Sequence, residues 1–71
     1  MRKHPILVGL GKRIRELRIE RGWSQENFAN ECGLDRSYYG GVERGERNVA
    51  AINLAKVAEV LGVRVGDLFP D

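Results

Sequence analysis

The sequence predicts an all-α fold, a compact bundle of about five short helices. Three observations carry this expectation. Apolar residues recur at spacings of three and four along most of the 71 residues. No stretch alternates with the period of two that marks a half-buried strand. The apolar runs are separated by glycines, and Ser24 and Asp35 stand where helices would start.

Taken in order, Ile6, Leu10, Ile14 and Leu17 form one apolar stripe of a first helix, which Gly22 stops. Glycine is the usual residue just past a helix end. Ser24 is the expected N-cap of the second helix, its hydroxyl accepting from a free N–H of the first turn. Trp23 and Phe28 stand at the two positions of a hydrophobic staple. This short helix ends near Cys32-Gly33. Asp35 caps a third helix, with Leu34 and Tyr39 as its staple, running through Val42 and Glu43 to Gly45. Gly40 and Gly41 lie inside that helix, where each costs roughly 1 kcal/mol relative to alanine. Such a pair calls for a reason: tight helix packing, close approach to a ligand, or one of each. Ala50 to Leu61 form a fourth helix, with Ala51, Leu54, Val57, Ala58 and Leu61 on one face and Gly62 as its stop. Val63 to Phe69 form a short last one.

The length allows one domain, residues 1–71, with a flexible tail over about residues 1–5 that includes a solvated His4. A domain this short buries roughly 60% of its unfolded surface, leaving little room for an active-site cleft. One cysteine and one histidine supply neither an internal disulfide nor a zinc site. Cys32 reads as a small core residue. No nucleophile–base set can be assembled from a single histidine, so no catalytic residue is expected. Gly9-Leu10-Gly11-Lys12 lacks the preceding strand and the full pattern of a phosphate loop. No metal, cofactor or small-molecule ligand is implied. The apolar run after Arg2-Lys3 is too short for a signal peptide or a membrane span, so a cytoplasmic protein is expected.

The formal net charge is +2, but residues 1–21 carry +5, residues 22–48 carry −2 and residues 49–71 carry −1. The basic cluster reads either as a footprint for phosphate or as a solvated helix face.

The segment WSQENFANECGLDRSYYGGVERGERN, residues 23–48, resembles the helix-turn-helix of the phage-repressor (Xre/Cro) family. Ser24-Gln25-Glu26 opens the first helix of the motif, about residues 24–45 in all. Ala29 is small where the helices must approach, Gly33 makes the turn, and Glu43-Arg44-Gly45 closes the second helix. The tail Leu54, Val57-Ala58, Leu61-Gly62-Val63 and Leu68-Phe69 follows the family's pattern as well. The likeness covers Gly11 to Phe69. Two departures stand out: Gly40 replaces the usual Ser or Thr, and Val49-Ala50 replaces Pro-Ser, leaving Asn48 as a substitute cap for the fourth helix. Within the family, LDRSYYGGVERGERN is similar to the recognition segment of restriction–modification controller proteins. The resemblance implies a lambda-repressor-like DNA-binding domain, a transcription regulator acting on double-stranded operator DNA as a homodimer.

In such proteins the second helix of the motif enters the major groove, N-terminal end first. At roughly 100° per residue, Tyr39 and Val42 point inward, while Ser37, Gly41 and Arg44 lie opposite and Arg36 and Tyr38 flank that face. Arg36 is the foremost candidate for reading a base, since a guanidinium can bond both O6 and N7 of guanine. As an ordinary surface residue it would oppose the helix dipole. Ser37 could contact a base or a phosphate. Gly41 would let the helix approach the groove with no side chain between. Gln25 resembles the family's phosphate-contacting glutamine, and Arg44, Arg47 and Asn48 would clamp the backbone, with Arg47 also able to reach a base. The alternative is that this ERGER segment is a solvated charged loop. The resemblance also implies a structural ion pair between Arg18 and Glu43.

Ile52 and Val60 fall on the outward face of the fourth helix by the same count. With Val65 and Phe69 they form a candidate dimer interface, since exposed apolar patches mark interaction sites. Two recognition helices would then lie one DNA turn apart, roughly 34–36 Å, on a palindromic operator. The rival reading is an antitoxin or adaptor whose main partner is another protein, bound through Ile19, Ile52 or Val60. An RNA-binding module is a further alternative, although the chain has no aromatic β-sheet platform.

Overall fold

The computed structural model describes residues 3–70. Four α-helices follow one another: α1, Pro5–Glu20; α2, Gln25–Cys32; α3, Arg36–Glu43; and α4, Ala51–Leu61. A 3₁₀ turn, Val65–Leu68, completes the bundle, and no strand occurs among the described residues. The expected last helix is thus one tight turn rather than a helix from Val63 to Phe69. Helix α3 packs on α1 and α2, α4 packs on α2, and the 3₁₀ turn bridges α4 and α1.

The helix starts follow local chemistry. Ser24 Oγ accepts from Asn27 N at 3.1 Å, and an Asp35 carboxylate oxygen accepts from Tyr38 N at 3.1 Å. Helix α1 begins earlier than the expected tail allowed. Pro5 occupies its first turn, where a missing N–H costs nothing, and His4 Nδ1 accepts from Ile6 N at 3.1 Å. His4 and Pro5 therefore belong to the helix start. Met1 and Arg2 of that expected tail lie outside the described residues. Helix α4 starts without a side-chain cap: Ala50 holds the cap position in extended conformation. Asn48 stands two residues too early to replace the missing hydroxyl.

Each helix ends in the same way, at a glycine with φ between 71° and 78°. Around Gly45 the Schellman pair of bonds is complete, Glu46 N to Gly41 O at 2.8 Å and Gly45 N to Val42 O at 3.1 Å. This closure turns the chain back alongside the end of α3.

The core gathers Leu10, Ile14 and Leu17 of α1, Phe28, Ala29 and Cys32 of α2, Tyr39 and Val42 of α3, Leu54, Val57, Ala58 and Leu61 of α4, and Leu68. The stripe of α1 enters through Leu7 rather than Ile6, which is exposed; the inward spacing is three, four, three from Leu7 to Leu17. Ala51 is exposed too. Trp23 packs edge-on against Phe28, with centroids 5.8 Å apart at 66°. Cys32 is buried, and loss of hydration pushes its thiol up to about 11. No described helix is long and apolar enough to cross a membrane.

Gly11 has a role that its sequence context conceals. It is buried in α1, and a Cβ there would collide with the carbonyl oxygens of Val42 and Glu43 and stand 2.8 Å from the Glu43 carbonyl carbon. Backbone meets backbone at this crossing, which only glycine permits.

Candidate nucleic-acid interface

The end of α3 is anchored by a buried polar cluster. Glu43 receives Arg18 Nε at 2.6 Å on one carboxylate oxygen and Arg18 Nη2 at 3.2 Å on the other. Gln25 Nε2 donates to it at 3.1 Å, and the Tyr39 hydroxyl donates as well. Arg18 Nη1 donates to the Trp23 carbonyl at 2.7 Å. Burial alone would raise the Glu43 carboxyl, but the bonds from Arg18, Tyr39 and Gln25 outweigh it and hold the group below its ordinary value. The same hydrogen bond raises the Arg18 guanidinium. Burial first, and then donation to Glu43, raises the Tyr39 phenol. Every member of the cluster is satisfied: no buried side-chain nitrogen or oxygen among the described residues lacks a partner. Such a network fixes geometry more than it adds stability. Here it ties α1, the first residue of α2 and the last residue of α3 into one unit.

The ends of α2 and α3 that remain free carry most of the remaining candidate residues. Gln25 begins α2 half-buried, with one amide hydrogen engaged by Glu43. Arg36 and Ser37 begin α3 and are exposed, with no side-chain partner among the described residues. Tyr38 is half-buried, and its hydroxyl accepts from Asn53 Nδ2 at 3.3 Å. Arg44, Arg47 and Asn48 are exposed after the helix. Arg44 Nε lies 2.9 Å from Glu46 Oε1, and Glu46 also meets Lys3 Nζ at 3.7 Å. Hydrogen bonding to Arg44 holds the Glu46 carboxyl low.

Both glycines of α3 are covered rather than bare. Over Gly40 lie Arg44 Nη1 and Gln25 Oε1, at 3.1 and 3.6 Å from where a Cβ would stand. Gly41, expected to leave the helix open to a groove, is buried beneath the side chain of Arg47. The cause is the reversal at Gly45, which a reading of α3 alone does not include.

Three arginines of the basic first segment are engaged by the protein itself. Arg18 is in the buried pair, Arg21 Nε donates to Leu61 O at 2.7 Å, and Arg13 Nε donates to Asp67 O at 3.3 Å. These three hold the fold together. Arg2 lies outside the described residues.

Sequence reasoning missed the bonds from Tyr39 and Gln25 to Glu43 and the bond from Asn53 to Tyr38. Tyr39 and Glu43 are four residues apart on one helix, a spacing that could have suggested their contact. The other two pairs carry no such signal. Among the apolar candidates, Ile52 is 73% exposed, Phe69 40% and Val65 38%. Val60, expected on the outward face, is half-buried against the core.

A family model described as Helix-turn-helix matches residues 14–68. The chain belongs to the helix-turn-helix family. Its two-helix motif is α2 and α3, and it is a DNA-binding regulator of the Xre type. The chain is 42% identical over 67 residues to Control protein C.MunI of Mycoplasma sp, covering 93% of this chain and 90% of that one. The crystal structure of the restriction-modification controller protein C.AhdI from Aeromonas hydrophila superposes with a TM-score of 0.86 at 54% identity, covering 89% of this chain and 96% of that one. The biofilm master regulator SinR, from Bacillus subtilis and solved in complex with DNA, gives a TM-score of 0.80 at 37% identity over 83% of this chain and 95% of that one.

Proposed function

We propose that the protein is a sequence-specific transcriptional regulator of the controller kind, binding a palindromic double-stranded DNA operator as a homodimer and governing a restriction–modification operon in the cytoplasm. The observation that carries this reading is the presentation of α3. Its C-terminal end is anchored through Glu43, while its N-terminal turn offers Arg36 and Ser37 to solvent. That is the end a recognition helix inserts first.

The roles follow from position. Arg36 reads a guanine edge, a pairing that contributes about 1–3 kcal/mol of discrimination. Ser37 and Tyr38 flank it. Gln25 uses its remaining amide hydrogen, together with the free N–H groups of the first turn of α2, for a phosphate. Arg44 and Asn48 hold the backbone beyond α3. One chain offers one reading helix, so a long operator calls for two copies. The exposed Ile52, Val65 and Phe69, with the edge of Val60, supply the apolar surface for their association.

Selection of random duplexes by the purified protein at about 150 mM salt, where phosphate-only binding is weak, tests the reading. The expected result is an enriched palindrome with half-sites about 10 bp apart. No enrichment by folded protein would overturn it and favour a protein-binding adaptor.

A further inference from the structure

Arg47 is fastened to the reading helix by a glycine. If Gly41 carried a Cβ, that atom would stand 2.8 Å from Arg47 Cγ, 3.2 Å from Nε and 3.6 Å from Cδ. The arginine stem therefore lies directly on the backbone of α3, in a slot that only the absence of a side chain provides. What brings it there is the closure of the helix: the bond from Glu46 N to Gly41 O reverses the chain so that residue 47 runs beside the last turn. Arginine readily covers such a surface with its carbon chain while its head stays in water. Arg47 as a whole is exposed. It takes part in none of the ion pairs among the described residues, whereas Arg44 is held by Glu46. Position 41 stands one turn from Ser37 on the same helix face. A guanidinium laid over Gly41 is thus delivered to the surface that α3 presents outward.

We infer that Gly41 is a specificity-determining residue that acts through Arg47, whose guanidinium reads a second guanine beside the one assigned to Arg36. The inference rests on the reading of α3 as the helix that enters the major groove. It gives the glycine a different role from close approach: the slot turns a loop arginine into a fixed part of the reading surface. A flexible side chain held before binding loses less freedom on contact, which favours tight and selective recognition.

The test uses the duplex selected by the full-length protein and compares it with Gly41→Ala, Arg47→Ala, the double variant and Arg47→Lys. Thermal unfolding is measured beside DNA affinity. Gly41→Ala is expected to keep or raise Tm, because alanine favours the helix over glycine. Its affinity should nevertheless fall about tenfold to hundredfold, the worth of one bidentate arginine–guanine pair. Arg47→Ala should lose a similar amount, the double variant no more than either alone, and both single variants should relax preference at the same base pair. Arg47→Lys keeps charge and stem but not the fork, and should lose the preference while keeping the salt slope. Wild-type affinity in Gly41→Ala, or losses that add, would overturn the role of the slot. A loss uniform across sequences, with a salt slope reduced by about one, would make Arg47 a phosphate contact and overturn the guanine assignment. If the wild-type protein selects no duplex, the groove-entering reading itself fails; selection by wild type with unaffected variants fails this inference alone.

Discussion

Arg18 and Glu43 meet edge to edge, with Nε 2.6 Å from one carboxylate oxygen and Nη2 3.2 Å from the other. The pair is buried between α1 and the end of α3. Its energetic meaning lies in what happens when one partner is lost. Glu43→Ala leaves a buried guanidinium uncompensated and should cost about 3–5 kcal/mol. Replacing both partners together, Arg18→Met with Glu43→Leu, should recover much of that loss in urea unfolding. A double variant as unstable as the single one would refute this account.

The same carboxylate gives the fold an acid limb. Its folded value is depressed, so its contribution is complete above the unfolded value of about 4.3 and disappears as pH falls through the lower folded value. Unfolding free energy of the wild type should therefore drop below about pH 4. Glu43→Gln should be less stable at neutral pH and show a flatter profile in that window. Parallel profiles for the two proteins would locate the acid sensitivity elsewhere.

Gly11→Ala should destabilise the protein by about 1–3 kcal/mol, the usual cost of overpacking, despite the better helix propensity of alanine. The added methyl meets carbonyl groups of α3, which cannot swing aside as a side chain can. Alanine at Gly41, where the obstacle is an arginine stem, should not destabilise. Chemical denaturation of the two variants side by side checks the contrast.

Ala50 already has the extended backbone of an N-cap but offers no acceptor. Ala50→Ser should stabilise by about 1 kcal/mol, read as a higher midpoint of denaturation with an unchanged slope.

Glu46 pairs with Arg44 and Lys3, so in the proposed complex it would compete with phosphate for Arg44. Glu46→Gln should tighten binding to any duplex a few-fold and steepen the dependence on salt, without altering the selected sequence. A changed sequence preference would mean that Glu46 contacts a base.

The helix starts were legible because capping is local chemistry: Ser24 and Asp35 bond to N–H groups three residues away. The glycine stops were legible for the same reason. The outward face of α3 was only half legible. Angular counting placed Ser37, Gly41 and Arg44 outside, Arg36 and Tyr38 beside them and Tyr39 inside, yet it could not know that Arg47 returns to cover Gly41. Gln25 meets Glu43 across 18 positions, and Asn53 meets Tyr38 across 15. The first comes from the packing of α2 against α3 and the second from α4, which packs on α2 and reaches Tyr38 through Asn53; no spacing rule on one helix encodes either.

The bare crossing at Gly11 sets a limit on how this protein can change its target. At Gly11 α1 lies directly against the carbonyl groups that end α3, so a shift of α3 toward α1 at that point would drive backbone into backbone. On the proposed reading of α3, descendants of this chain would acquire new targets more readily by exchanging residues on its outer surface than by re-aiming the helix. Divergence of specificity in this lineage should thus appear as substitutions at a few exposed positions above an unchanged frame.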